Sequence, residues 1–95
     1  MTYKLKFLPA AKKEWDKLAE PLKKQFKNKL ADRIVNPHVP SAKLKGYDSV
    51  YKIKLRTAGY RLAYEVIDNE VVIYVLVVGK RDKNSIYKKL ASRVV

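Results

Sequence analysis

The sequence contains no cysteine and a single histidine, His38. Disulfide bonds and thiolate metal sites are therefore excluded, and His38 has no second histidine with which it could share a metal ion. The nine Asp and Glu residues are scattered and form no D-x-D or E-x-x-H cluster suited to a divalent cation. A Gly-rich phosphate loop and a G-x-S-x-G motif are also missing. We therefore expect a protein without a metal ion or another cofactor, in which His38 is incidental.

Long apolar segments are missing as well. No stretch approaches the length that crosses a membrane, and the start Met-Thr-Tyr-Lys lacks the apolar core of a signal peptide. The chain of 95 residues is long enough for one hydrophobic core and too short for two. We expect a cytoplasmic protein made of one domain, residues 1–95.

Positive charge is what the sequence has in excess. Twenty-two Lys and Arg residues against nine Asp and Glu residues give a net charge of +13 at pH 7. A charge of this size on so small a body attracts polyanions and raises their local concentration at the surface. The expected partner is therefore nucleic acid or an acidic protein.

The most regular pattern lies in residues 50–81, where turn signals at 57–59 and 68–69 separate three runs rich in Val, Ile, Leu and Tyr. This arrangement predicts a three-stranded antiparallel meander. In the first two runs apolar and charged residues alternate; the apolar set is Tyr51, Ile53, Leu55, Leu62, Tyr64 and Val66, and the opposite set is Lys52, Lys54, Arg56, Arg61, Ala63 and Glu65. The third run, 71–78, is apolar throughout, which is typical of a central strand covered on both faces. We expect the cationic face of this sheet to be the functional site.

The remaining segments predict one more strand and three helices. Residues 3–8 alternate as a short strand that ends at Pro9. Helical spacing predicts one helix over 9–20 and a second helix that starts at Pro21 and stops around 36–37. Trp15 of the first helix and Phe26 of the second are expected in the core. Asp82 or Asn84 is expected to cap a last helix, whose apolar stripe is Ile86, Leu90 and Val94.

The resulting fold class is α+β, a small sandwich with the order β-α-α-β-β-β-α. We expect a mostly antiparallel four-stranded sheet with the two N-terminal helices on one face, followed by a C-terminal helix. The first strand is expected to pair with the free side of strand 71–78, and the sequence leaves its direction open.

Lys, Arg and Tyr suit one reaction in particular, the metal-free cleavage of RNA by its own 2′-hydroxyl. That reaction needs an in-line substrate, stabilised phosphate charge and proton transfer at both ends. A lysine with an ordinary pKa of about 10.4 is handicapped as a base at pH 7 by about 4.6 kcal/mol. Neighbouring cations lower the pKa of a lysine because they disfavour its ammonium form. Crowded lysines therefore fit a catalytic base and fit phosphate binding equally well, and the residues alone leave both readings open.

Five segments together are specific: KKEW at 12–15, KLKG at 43–46, YKIKLR at 51–56, GYRL at 59–62 and VGKR at 78–81. They resemble the RelE toxin family, and the resemblance extends over the whole chain in length and element order. It implies a ribosome-dependent mRNA endonuclease that cuts the codon in the vacant A site and leaves a 2′,3′-cyclic phosphate and a 5′-hydroxyl. It also implies a RelB-type antitoxin that wraps a monomeric toxin and displaces its C-terminal helix.

The resemblance carries over the family's site residues to matching positions. The catalytic set is Lys52, Lys54, Arg61, Arg81 and Tyr87. Lys52, with Lys54 beside it, is the favoured base or charge stabiliser, and Arg61 is expected to hold the scissile phosphate. Arg81 is expected to stabilise the pentacovalent phosphate, and Tyr87 either stacks on the base or shares the proton transfer. Further RNA contacts are expected from Lys43, Lys45, Arg56, Lys80 and Lys83, although Lys45 stands where relatives often have Arg.

Three other functions share this kind of sequence. The first is a ParE-like toxin that poisons DNA gyrase; such toxins generally lack the Lys, Arg and Tyr set. The second is a catalytically inactive module that binds RNA or protein. The third is a relative with a His and Glu acid–base pair, which the absence of any histidine after His38 disfavours.

Overall fold

The computed structural model describes residues 2–80 and 85–93. Its elements are β1 (Lys4–Phe7), α1 (Pro9–Asp16), α2 (Glu20–Arg33), a 3-10 turn (Pro40–Ala42), β2 (Val50–Leu55), β3 (Tyr60–Ile67), β4 (Val72–Lys80) and α3 (Ser85–Arg93). This order confirms the predicted α+β fold. Within the described ranges, no helix is both long enough and apolar enough to cross a bilayer. The cap residues Asp82 and Asn84 and the stripe residue Val94 lie outside the described residues.

The four strands form one sheet in the order β1-β4-β3-β2. β2 pairs with β3 and β3 with β4 in antiparallel fashion, which confirms the meander. β1 pairs with β4 in parallel, with Lys4 opposite Val72 and Phe7 opposite Val75. The direction that the sequence left open is therefore parallel, and the helices α1 and α2 lie in the long connection that a parallel pair requires.

One face of the sheet is covered by α1 and α2, as predicted. Trp15 and Phe26 are buried there with their ring centroids 6.1 Å apart, and both pack against the sheet. Both helices carry proline in their first turn, where the missing N–H is no loss. Both helices end earlier than predicted: α1 ends at Asp16 instead of residue 20, and α2 ends at Arg33 instead of around 36–37.

The opposite face is less cationic than the sequence pattern indicated. A second hydrophobic cluster covers part of it; its buried members are Leu44, Val50, Ala63, Leu76, Val77, Ile86 and Leu90. Ile86 and Leu90 belong to α3, so the C-terminal helix lies on this face. The exposed charges are therefore confined to the part of the face that α3 leaves open.

A β-bulge adapts β4 to this arrangement. Ala63 pairs with Val77 whereas Tyr64 pairs with Val75, so Leu76 is an extra residue in β4. As a result Leu76 and Val77 both belong to the cluster under α3, while Val75 and Val78 belong to the cluster under α1 and α2. Strict alternation in the sequence could not show this shift.

The hairpin turns need unusual backbone angles. Gly59 closes the β2–β3 turn at a φ of 72°, where a glycine has no steric penalty, and its N–H donates to the Leu55 carbonyl over 2.8 Å. Val71 precedes β4 at a φ of 55°, which is rare for a β-branched residue. Its carbonyl accepts a hydrogen bond of 2.8 Å from the Lys4 N–H, so β1 helps to hold this turn.

The core on the helix-covered face makes a stability prediction. Ile53 is 1% exposed, and Ile53→Val should lower the free energy of unfolding by about 1 kcal/mol because it removes a buried methylene and leaves a small cavity. Ile67→Val, at the partly exposed end of β3, is the matched control and should cost much less. Urea unfolding of both variants gives the comparison, and equal losses would contradict the packing described for Ile53.

Candidate active site on the sheet

The strand register brings the predicted cations of β2 and β3 together. Lys54 lies directly opposite Arg61, and Lys52 lies opposite Ala63, the next position on the same face. Side chains directly opposite in an antiparallel pair have Cβ atoms about 4.5–5.5 Å apart. On its other side Arg61 pairs with Gly79 of β4, which presents no side chain. The face therefore holds three cations side by side, next to Gly79, where the Ile86 side chain of α3 lies within contact distance.

The helix α3 adds an aromatic hydroxyl to this group. Arg61 Nη1 donates a hydrogen bond of 2.8 Å to the Tyr87 phenol oxygen. The guanidinium carbon of Arg61 lies 5.8 Å from the centroid of the Tyr87 ring, so a cation–π contact accompanies the hydrogen bond. Tyr87 is partly exposed. One side chain of α3 thus reaches the cations of the sheet, although 26 residues separate it from Arg61.

The crowding of positive charges lowers the pKa of one lysine, Lys54. The positive charge of Lys52 lowers the pKa of Lys54, and the charges of Arg61 and Arg56 act in the same direction. Neighbouring cations disfavour the ammonium form and favour the neutral amine. The surrounding cations therefore shift Lys54 toward its neutral form.

A cleft of about 300 Å³ opens beside these residues at the end of the β2–β3 hairpin. Its lining comprises Lys54, Leu55, Arg56, Gly59, Tyr60 and Arg61. Three of the six are cationic, and Arg56 is exposed at the rim. The cleft is of a size that takes a small ligand, and its charge suits a phosphate group.

The structure places the other predicted contacts at the margins of this face. Lys43 and Lys45 are exposed on either side of the buried Leu44, next to the outer edge of β2, where Lys43 bridges Tyr51. Lys80 is exposed at the end of β4, opposite Tyr60. Arg81 and Lys83 lie outside the described residues. Of the predicted residues, Lys54, Arg56 and Arg61 line the cleft. Tyr87 adjoins it through its hydrogen bond with Arg61, and Lys52 lies next to Lys54 on the same face of β2.

The carboxylates of the described residues do not form a metal site. Across residues 2–80 and 85–93, no three His, Asp or Glu residues cluster so that they could hold an ion. Glu65 lies on β3 opposite Val50, four residue pairs beyond Arg61, and burial raises the pKa of its carboxyl group.

His38 belongs to a different part of the molecule. Its Nδ1 lies 3.0 Å from the Tyr51 hydroxyl and its Nε2 lies 2.9 Å from Asp68 Oδ1. The Tyr3 hydroxyl also donates to Asp68 Oδ1, and these hydrogen bonds lower the pKa of that carboxyl group. Tyr51 packs on the face covered by α1 and α2, away from Lys52 and Lys54. His38 therefore ties a loop to the sheet.

Two residues that support the site were missed by the sequence patterns. Arg33 at the end of α2 donates to the Tyr64 hydroxyl over 2.8 Å and to the Lys52 carbonyl over 3.3 Å, so it holds the edge of β2 at a cationic position. Glu14 of α1 contacts both β4 and α3. Both are charged residues in lysine-rich helices, and nothing in their spacing distinguishes them from the solvent-exposed charges around them.

Comparisons with known proteins agree with this architecture. A family model described as the ParE toxin of the type II toxin–antitoxin system parDE matches residues 5–85. The mRNA interferase toxin RelE of Escherichia coli strain K12 is 43% identical over 95 residues, which cover the full length of both chains.

Solved structures give the same result. A mutant of the E. coli toxin RelE in its free state superimposes with a TM-score of 0.92 at 42% identity, with both chains covered completely. The toxin in the intact E. coli RelBE toxin–antitoxin complex superimposes with a TM-score of 0.82 at 46% identity, covering 85% of this chain and 99% of that one. The family model names ParE toxins, but the full-length relatives and the superimposed structures are RelE toxins. This chain belongs to the RelE family of toxins of type II toxin–antitoxin systems.

Proposed function

We propose that this chain is an mRNA interferase that cuts messenger RNA in the ribosomal A site. The observation that carries the proposal is the meeting of Lys54, Arg61 and Tyr87 beside one cationic cleft. The full-length similarity to the E. coli mRNA interferase RelE supports the same function. The reaction class is phosphodiester cleavage by the adjacent 2′-hydroxyl.

The proposed step balances without a cofactor. A base removes the proton of the 2′-hydroxyl, the 2′-oxygen bonds to phosphorus, and the bond from phosphorus to the 5′-oxygen breaks. The departing 5′-oxygen takes up a proton, and the products are a 2′,3′-cyclic phosphate and a 5′-hydroxyl. Negative charge builds on the non-bridging oxygens during the step, so positioned cations stabilise its transition state.

We propose different roles for the two lysines. The family resemblance made Lys52, with Lys54 beside it, the favoured base or charge stabiliser. Because neighbouring cations lower the pKa of Lys54, we assign the uptake of the 2′-hydroxyl proton to the Lys54 amine. Lys52 then supplies the neighbouring charge that lowers that pKa. Arg61 binds the phosphate with its planar donors, and the Tyr87 hydroxyl holds the guanidinium in place. Arg81 remains the expected partner of the pentacovalent phosphate.

A lysine amine is a weak catalytic base, and this weakness accounts for the proposed dependence of cleavage on the ribosome. When the chemical groups are weak, alignment of the attacking and leaving oxygens contributes more of the rate. A codon bent in the A site supplies that alignment, and free mRNA rarely does. Basic surfaces away from the cleft, at the exposed Lys24, Lys27 and Lys29 of α2 and at Lys43 and Lys45, dock on phosphates of ribosomal RNA.

Control of the toxin by a RelB-type antitoxin is part of the same proposal. A partner that displaces α3 removes Tyr87 from Arg61 and leaves the apolar positions Leu76 and Val77 to be covered by the partner. The solved complex of the E. coli relative with its antitoxin supports a partner of this kind. The antitoxin then inactivates the site without entering the cleft.

Primer extension on programmed ribosomes tests the cleavage. Arg61→Ala should lower the rate of cleavage at the A-site codon by well over threefold, because it removes the guanidinium that binds the phosphate in the transition state. A threefold loss would correspond to only about 0.65 kcal/mol of transition-state stabilisation. Lys13→Ala, an exposed cation of α1, is the control and should cut normally.

A result within threefold for Arg61→Ala would remove Arg61 from the proposed role. Absence of discrete A-site breaks with the unaltered toxin would contradict the function as a whole and favour a gyrase poison or an inactive binding module.

The coupling between the two lysines can be measured directly. Lys52→Gln should raise the pKa of Lys54 toward its ordinary value, because the largest opposing charge is removed and the ammonium form is stabilised. A titration of the Lys54 side-chain resonances by NMR reports this shift, and Lys29→Gln serves as the distant control. If Lys54 is the base, the pH at which cleavage reaches its plateau rises together with the pKa. An unchanged pKa in Lys52→Gln would remove the physical basis for Lys54 as base.

Docking on ribosomal RNA should depend steeply on salt. Each phosphate contact that is lost lowers the slope of log affinity against log salt by about 0.7–0.9. Replacing Lys24 and Lys27 by Gln should therefore reduce the slope for ribosome binding by about 1–2, while Lys13→Gln should leave it unchanged. Filter binding across a salt series provides the slopes. Ribosome affinity that does not vary with salt would refute docking through these lysines.

A further inference from the structure

One carboxylate outside the cleft joins three elements of the fold. Glu14 of α1 accepts a hydrogen bond of 3.1 Å from the Val78 N–H of β4. Arg93 of α3 donates to both of its oxygens, over 2.9 Å to Oε1 and 3.2 Å to Oε2. Lys89 of α3 adds a contact of 3.1 Å to Oε2. The sequence separation between Glu14 and Arg93 is 79 residues, so this contact links the first helix to the last.

The position of these contacts has a structural reason. β1 ends at Phe7, opposite Val75, so the following part of β4 is paired with β3 on one side and has no strand on the side of β1. The bulge at Leu76 lies in this part. Glu14 accepts from the Val78 N–H, and Arg93 donates to the Leu76 carbonyl over 2.9 Å. The ion pair thus satisfies the two backbone groups that a neighbouring strand residue would have bonded.

The ion pair is well shielded from water. The side chains of Glu14 and Arg93 are 16% and 19% exposed, whereas Lys89 is 52% exposed. Burial by itself raises the pKa of the Glu14 carboxyl group, but the hydrogen bonds from Arg93, the Val78 N–H and Lys89 outweigh it and lower that pKa. Glu14 is therefore charged at neutral pH, and its two-oxygen contact with Arg93 has the geometry of a strong, directional pair.

The helix α3, which Glu14 contacts, is too short to be stable without its contacts to the rest of the protein. α3 has nine residues, and isolated helices shorter than about 12–15 residues are marginal in water. Its apolar contacts, Ile86 and Leu90, are buried against the sheet, but apolar burial is non-directional and tolerates rotation or sliding of the helix. The directional contacts of α3 with Glu14 therefore determine where along β4 the helix settles, and with it where Tyr87 meets Arg61.

We propose that Glu14 is a positioning residue for RNA cleavage, which holds α3 in the place where the Tyr87 hydroxyl contacts Arg61. This inference rests on the proposed function, because cleavage is the activity that the position of Tyr87 serves. Glu14 itself touches none of the cleft residues and acts through Arg93 and α3.

The test uses Glu14→Gln, which retains an oxygen for the Val78 N–H and removes the charge that Arg93 binds. The control is Asp16→Asn on the same helix, whose carboxylate contacts Lys12 one turn away. Glu14→Gln should lower kcat for A-site cleavage about tenfold, since small misplacements of a reacting constellation cost up to about 100-fold. KM for ribosomes should stay near the wild-type value, because the docking lysines are untouched. Asp16→Asn should leave both constants unchanged.

A comparison with Tyr87→Phe separates positioning from a general loss of structure. If Glu14 acts through the Tyr87 hydroxyl, Glu14→Gln should have little further effect on kcat once that hydroxyl is gone. The same loss in both backgrounds would overturn the proposal, and so would a normal kcat in Glu14→Gln with intact Tyr87. Should Glu14→Gln fail to fold, Arg93→Met breaks the same pair from the other side and is measured in its place.

Hydrogen exchange provides a readout that does not depend on cleavage. In Glu14→Gln the amides of residues 86–93 should exchange faster, while those of β2 and β3 keep their wild-type rates. Unchanged protection of α3 would show that Glu14 does not hold the helix. If the unaltered toxin cuts no message, the proposed function fails and the catalytic part of this inference fails with it. The exchange rates still decide whether Glu14 anchors α3.

Discussion

The burial of β4 on both of its faces is the constraint on which this structure depends. β4 pairs with β1 on one side and β3 on the other, α1 and α2 cover one of its faces, and α3 covers the second. A strand that is apolar at nearly every position needs all of these neighbours to be removed from water. The bulge at Leu76 lets its side chains serve both hydrophobic clusters. Because α3 covers only part of its face, an open strip remains, and the cations occupy that strip.

The crowding of cations on that strip lowers the stability of the fold and also changes the pKa of one of them. Lys54 and Arg61 lie in directly opposed positions, where like charges destabilise a sheet. The buried residues beneath them, Ile53 and Leu62, hold the two strands together in spite of this repulsion. The charge of Lys52, together with the smaller effect of Arg61, lowers the pKa of Lys54. A local cost in stability is thus tied to a chemical property, as is common where sites are built from like charges.

The sequence predicted the strands well because their alternation is strict. The pattern of Tyr51, Ile53 and Leu55 against Lys52 and Lys54 follows from the pleat alone, and the structure confirms it. The parallel pairing of β1 could not be predicted, because four alternating residues fit a neighbour in either direction. The second hydrophobic cluster was missed since Leu44 lies in a loop and Leu76 lies in a bulge, where no periodicity applies.

The site was predictable in part for the same reasons. Opposed positions on a hairpin follow from register, so Lys54 and Arg61 could be expected to lie together. The placement of Tyr87 rested on the family resemblance, because no local pattern says where a short helix will dock. Glu14 and Arg33 were beyond sequence reasoning: each acts through contacts with distant elements, and each looks like an ordinary helix charge.

The parallel strand and the late helix together determine the order in which the molecule can be completed during translation. β1 is synthesised first, but it can pair only after β4 has been synthesised. Glu14 likewise can form its ion pair only when Arg93, 79 residues later, has been added to the chain. Lys52, Lys54 and Arg61 are synthesised before Tyr87, which arrives with the last helix. Chains begin to fold from their N-terminal part during synthesis. A nascent chain therefore contains these cations before it contains Tyr87, whose hydroxyl accepts the hydrogen bond from Arg61.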